Sequence, residues 1–128
     1  MENILHVGLD VGSTTVKIVV IDSNKKEIYS DYTRHFSDTK NTVCKVLESL
    51  PEKFPNSKFT IALTGSGAMS AATFLGLPFI QEVVACKRAV EKYIPILDSI
   101  TFLMILPYQH YLYLSNKNNY ILLRQTYY

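Results

Sequence analysis

The sequence predicts an α/β domain with an antiparallel three-strand start, on three observations. Two apolar runs rich in β-branched residues, 4–9 and 16–21, enclose a short polar turn. Further strand-like runs recur at 28–35 and 59–63. Between and after them lie segments whose apolar residues repeat at helical spacing. With 128 residues and 48% hydrophobic content, the chain is long and apolar enough to bury one core of ordinary size.

The elements follow in order. Residues 4–9 read as a buried strand, and the turn Asp10-Val11-Gly12-Ser13-Thr14-Thr15-Val16-Lys17 leads into a second strand at 16–21. A polar connection, Asp22-Ser23-Asn24-Lys25-Lys26, makes the next hairpin and leads into strand 28–35. That strand's pattern puts Ile28, Tyr32 and Phe36 on one side. Ser37 or Asp38 then caps a helix carrying Val43, Val46, Leu47 and Leu50, which Pro51 stops. The fourth strand, 59–63, is expected beside the first after a right-handed crossover, so that its C-terminal loop and the Asp10 turn open to one side. A longer helix over 81–94 places Val83, Cys86, Val90 and Tyr93 or Ile94 on its buried face.

The first turn carries the chemistry. Gly12 lets the backbone bend and approach a ligand closely, while main-chain N–H groups and the hydroxyls of Ser13, Thr14 and Thr15 suit phosphate oxygens. Lys17 adds a point charge. Asp10, an acceptor when ionised, suits Mg²⁺ or its bound water. The plainer alternative is a tight hairpin whose hydroxyls satisfy their own backbone.

Residues 5–21, Leu-His-Val-Gly-Leu-Asp-Val-Gly-Ser-Thr-Thr-Val-Lys-Ile-Val-Val-Ile, resemble the first phosphate motif of the actin, sugar kinase and Hsp70 ATPase superfamily. Within it they look most like the BadF/BadG/BcrA/BcrD-type ATPases, activators of 2-hydroxyacyl-CoA dehydratases and benzoyl-CoA reductases. Residues 59–69 and 77–85, with Thr64-Gly65-Ser66-Gly67 and Glu82, are similar to the activators' strand, Thr-Gly-x-Gly loop and Glu-bearing helix. The resemblance implies a ribonuclease H-like, actin-type ATPase sublobe over residues 1–97. It also implies ATP or ADP with Mg²⁺ as cofactors and a dehydratase or reductase component as partner. Thr64, Gly65 and Gly67 join the candidate cofactor-binding residues on a partner-facing or substrate-facing side of the cleft. On chemistry alone, Thr64 or Ser66 equally serves to cap the following helix.

Beyond Pro95 the composition changes, and the resemblance ends. Six of the nine tyrosines fall between Tyr108 and Tyr128, no Asp or Glu follows Asp98, and no Gly follows Gly76. Residues 99–106 supply an apolar strand, but Pro107 and Tyr108 stand where the family has the glycines of a second phosphate motif. The family's 4Fe-4S cysteines and second lobe are also missing, which marks residues 98–128 as a divergent, truncated or frame-shifted tail. Residues 108–113 read as an edge strand or, preferably, as weakly ordered sequence prone to self-association.

A formal net charge of +2, with scattered basic residues, points away from nucleic acid. Residues 94–106 fall well short of the roughly 20 apolar residues of a membrane span. No basic and apolar leader opens the chain, so a cytoplasmic location is expected. Cys44 and Cys86, the two cysteines, lie in separate helices without ligand spacing and read as core thiols. His6 and His110 are isolated and carry no assigned role. Three functions remain: the ATP-binding part of an activator, inactive alone; a non-catalytic fragment of the same fold; or a sugar or acyl kinase relative.

Overall fold

In a computed structural model of the chain, the described residues are 3–93, 99–104, 109–116 and 119–126. They belong to two compact units, Met1–Ile80 and Gln81–Tyr128. The first contains β1 (Asn3–Val11), β2 (Thr15–Ile21), β3 (Glu27–Arg34), α1 (Thr39–Glu48), α2 (Leu50–Lys53), β4 (Ser57–Thr64) and α3 (Ala68–Leu75). Its four strands form one sheet in the order β3-β2-β1-β4, antiparallel at β1·β2 and β2·β3 and parallel at β1·β4. This is the antiparallel start with a parallel fourth strand beside the first that the sequence predicts.

The core lies on one face of this sheet. Leu5, Val7, Leu9 and Val11 alternate along β1, and Val16, Ile18 and Val20 answer them from β2 in the register Leu9↔Ile18 and Val7↔Val20. Val43 of α1, Leu50 of α2 and Leu63 of β4 complete the cluster with Ala68, Ala71 and Ala72 of α3. The alanine spacing of three and four puts one small-residue face of α3 against the core, which lets the helix approach closely. Ile4, Val19, Ile28 and Tyr32 belong to the opposite face and are between 39% and 71% exposed. The apolar runs of β1 and β2 are therefore buried on one side, with alternation hidden by β-branched residues on both.

Three local expectations are corrected. Ile28, Tyr32 and Phe36 do not face the core; Tyr29 does, meeting Phe54 edge to face with ring centroids 6.0 Å apart. A register irregularity at Val20/Ile21 accompanies this parity. Asp38 occupies the N-cap position of α1, but its carboxylate accepts from Asn41 Nδ2 at 2.9 Å and makes no capping bond to the backbone. Pro51 does not stop the helix: α2 restarts with Pro51 in its first turn, where a missing N–H costs nothing. Residues 77–80 are extended along the end of β4, with Leu63 N–H donating to Pro78 O and Ile80 N–H to Leu63 O.

The second unit holds α4 (Glu82–Tyr93), β5 (Ser99–Met104), β6 (Gln109–Asn116) and β7 (Asn119–Thr126). On α4, Val90 is buried and Cys86 half-buried, whereas Val83 is 48% exposed rather than part of a covered face. The strands form an antiparallel sheet, β5-β6-β7. The weakly ordered reading of the Tyr-rich stretch gives way to strand, and residues 109–116 are central rather than at an edge. Ile94, the expected boundary between residues 97 and 98, and Pro107 with Tyr108 lie outside the described residues.

Helix α3 ends at Gly76, which sits in the left-handed region at φ 64° with its N–H bonded back to the last turn. A Cβ there meets nothing within 4 Å, so replacement costs conformation only. Gly76→Ala should destabilise the fold by about 1 kcal/mol, measured by urea denaturation.

Candidate functional site

Three residues expected to carry chemistry share one row of the sheet. Register places Thr64 of β4 beside Asp10 of β1, and Asp10 opposite Lys17 of β2, all on the face away from the core. Lys17 Nζ lies 3.6 Å from Asp10 Oδ2, so the charges expected to serve Mg²⁺ and phosphate separately form an ion pair with each other. Both side chains are partly exposed, and the pair contributes about 0.2–1 kcal/mol at most. Thr64 Oγ1 differs from its neighbours in being buried without a hydrogen-bond partner. The neighbouring pair on this face, His6 and Thr60, is joined ring to hydroxyl at 2.6 Å and serves the sheet.

The turn after β1 closes tightly, with Gly12 N–H donating to Thr15 O at 2.9 Å. Gly12 is buried but does not adopt a left-handed conformation, so the bend expected to require it is made without positive φ. Its carbonyl, and that of Thr14, point into the fold. Thr14 O accepts from the backbone N–H of His35 at 3.0 Å, and Gly12 O lies 3.0 Å from His35 Nε2. Ser13 and Thr14 N–H make no such backbone bond among the described residues. The turn thus has the Gly12 and Thr14 carbonyls occupied from within, with the N–H groups of Ser13 and Thr14 outside the backbone bonding and the hydroxyls of Ser13, Thr14 and Thr15 beside them. Such a donor-rich rim suits an anion.

The second glycine loop lies against the first. Gly67 N–H donates to Val11 O at 2.8 Å, and Ala68 N–H donates to Gly65 O at 3.1 Å. Gly65 has φ 103°, and a Cβ built on it would stand 2.5 Å from Val11 O and 2.6 Å from Asp10 Oδ1. At Gly67 a Cβ would meet Gly12 O at 3.1 Å. Neither Thr64 nor Ser66 caps α3: Gly67 holds the N-cap position without a side-chain bond. The two loops share one corner, and capping does not account for the Thr64 hydroxyl. Glu82 belongs to the second unit.

Metal and nucleotide ligands can be tested against this donor set. Mg²⁺ keeps several waters and needs only one or two carboxylates alongside phosphate oxygens, so Asp10 fits a water-mediated role. No group of three or more His, Cys, Asp or Glu lies together among the described residues. Cys44 and Cys86 are free thiols. Burial, reinforced by the Glu82 carboxylate, pushes the Cys86 thiol up. The donor set at Asp10 and the two loops therefore fits a nucleotide with Mg²⁺, whereas the described residues group no ligands that would fit an iron–sulfur cluster.

Sequence reasoning missed His35. It is 5% exposed, the one buried polar residue among those described, and its place in line with Tyr29, Asp31 and Thr33, on the side of β3 that pairs with the core residues of β2, was the available signal. Gly65→Ala combines positive φ with a clash against backbone. It should destabilise by about 3 kcal/mol, well beyond Gly76→Ala, in the same urea measurement.

The fold has solved counterparts. (R)-2-hydroxyglutaryl-CoA dehydratase component A from Acidaminococcus fermentans is 16% identical, covering 93% of this chain and 47% of its own, with a TM-score of 0.65. The activator of the 2-hydroxyisocaproyl-CoA dehydratase from Clostridium difficile, solved with bound ADPNP, is 22% identical over 92% of this chain and 45% of its own, at 0.61. Ethanolamine utilization protein EutJ from Carboxydothermus hydrogenoformans is 16% identical over 95% and 52%, at 0.60. The chain spans about half the length of these structures. No protein-family model matches the sequence, and no curated protein does. At these identities the likeness is one of fold: the chain has the actin-type ATPase sublobe fold that its first phosphate motif resembles, the fold shared by the dehydratase activators.

Proposed function

We propose that this chain is the nucleotide-binding N-terminal part of an actin-type ATPase of the dehydratase-activator kind. One observation carries the reading: the Thr64 hydroxyl is buried without a partner in the row that holds Asp10 and Lys17, beside a turn that carries N–H and hydroxyl donors. A buried orphan hydroxyl costs about 1–3 kcal/mol, and a ligand oxygen or its bound water would satisfy it. On this reading Ser13, Thr14 and Thr15 bind phosphate oxygens, Asp10 orients Mg²⁺ through water, and Lys17 adds charge when released from Asp10. Gly12, Gly65 and Gly67 keep the two loops close. When bound, Mg²⁺ would offset phosphate charge.

The partner of this reading is a dehydratase or reductase component, by likeness to the activators, and the location is cytoplasmic. No described helix is long and apolar enough to cross a membrane. Phosphoryl transfer requires charge stabilisation on several sides of the γ-phosphate and an oriented nucleophile, which one phosphate turn does not supply. Binding without appreciable turnover is therefore the activity proposed for the isolated chain.

Isothermal titration with Mg²⁺-ATP, run beside thermal melts, tests it. Wild type should bind saturably. Thr64→Val, which keeps shape and removes the orphan, should melt at the same temperature or higher while binding about 10-fold more weakly, the equivalent of one 1.4 kcal/mol step. Asp10→Ala should lose affinity with Mg²⁺ present and little without it. A well-folded wild type that binds no nucleotide would leave the non-catalytic fragment as the correct reading.

A further inference from the structure

We infer that His35 is the positioning residue of the turn at 12–15, holding the Gly12 carbonyl with its ring and the Thr14 carbonyl with its backbone N–H so that both stay directed into the fold. This rests on the nucleotide reading for its purpose, though not for its geometry. A carbonyl only accepts, so the ring bond to Gly12 O at 3.0 Å requires the proton on Nε2. The backbone N–H of Ser37 donates to Nδ1 at 3.1 Å, which requires that nitrogen to be bare. Together the two partners fix the Nε2–H tautomer. The backbone of His35 is committed too, its N–H to Thr14 O and its carbonyl to Asp38 N–H at 2.8 Å.

The segment that follows explains how this orientation is maintained. Phe36 and Ser37 stand at φ 48° and 66°, two successive left-handed residues that are not glycine. Such a pair is unfavourable and persists only where its surroundings impose it. Burial of Phe36 does not impose it, because that ring is 80% exposed with the Arg34 guanidinium 5.6 Å above it. The bent backbone instead brings Ser37 N–H onto Nδ1 and leads directly into α1. The left-handed bend is thus coupled to the ring tautomer, and the tautomer to the direction of the Gly12 carbonyl. With that carbonyl released, an acceptor would join the donor rim and repel phosphate oxygens.

The test compares wild type, His35→Gln, His35→Ala and the core variant Leu50→Ala by amide hydrogen exchange over residues 12–15 and by Mg²⁺-ATP titration. Gln places an N–H near the Nε2 position. It should retain exchange protection at Gly12 and bind nucleotide within about 3-fold of wild type, whereas His35→Ala should lose both, binding about 10-fold or more weakly. Leu50→Ala should lower the melting temperature and leave affinity unchanged. Equal behaviour of His35→Ala and wild type, or of His35→Ala and Leu50→Ala, overturns the proposal. If His35→Ala does not fold, ring ¹⁵N shifts of wild type decide, since an Nδ1–H tautomer overturns it. If wild type binds no nucleotide, the functional reading fails, and hydrogen exchange alone still decides whether His35 holds the turn.

Discussion

A single main-chain contact, Gly67 N–H on Val11 O at 2.8 Å, is the constraint on which this corner of the molecule depends. It joins the end of β1 to the loop after β4, so the parallel pairing of those strands terminates in contact between two loops far apart in sequence. Gly65 must then pass Val11 O and Asp10 Oδ1 where no Cβ fits, and its positive φ turns the chain into α3. The alanine face of α3 meets the core because the helix starts there. The same pairing aligns Thr64 with Asp10. Chemistry and packing are set by one backbone geometry.

Much of this was legible in the residues. β-branched runs located the strands of the first unit to within about two residues, the ordinary uncertainty of element ends. The shared corner followed from placing strand 59–63 beside strand 4–9. The parity of β3 was not legible, because Ile28, Tyr32 and Phe36 outnumber Tyr29 as large apolar residues. Yet β3 is an edge strand, and the side facing α1 carries exposed Asp31 and Thr33 alongside half-buried Tyr29 at a groove. That one parity error also hid His35, which follows the same side past the strand end. Burial patterns identify a core face poorly where a strand contributes little to the core.

The caps illustrate a different limit. Asp38 and Ser66 are residue types that favour helix N-termini, and each stands at or near one, but neither bonds the backbone there. Propensity reports which residues are tolerated at a cap, while local geometry decides whether the bond forms. Removing the capping explanation for Thr64 is what makes its hydroxyl informative, since a buried polar atom left unpaired needs another account.

Costs accumulate at this corner. Two left-handed residues at 36 and 37 cost about 1–3 kcal/mol each, and the Thr64 hydroxyl costs about as much again. The partly exposed Asp10–Lys17 pair returns about 1 kcal/mol at most. Elsewhere in the first unit the alternation of β1 and β2 and the alanine face of α3 agree with the fold without such penalties. Lys25 and Asn56 are also left-handed, but as single residues in connections, whereas the successive pair at 36 and 37 adjoins the donor-bearing turn, as expected where a binding site is preorganised. With Asp10 and Lys17 neutralising each other, a phosphate approaching on the proposed reading first meets oriented N–H and hydroxyl dipoles rather than a free ammonium. Dipoles of that kind bind well only when they are fixed before the ligand arrives. On that reading the buried imidazole and the bend after it provide the fixation, and the left-handed pair at Phe36 and Ser37 serves it.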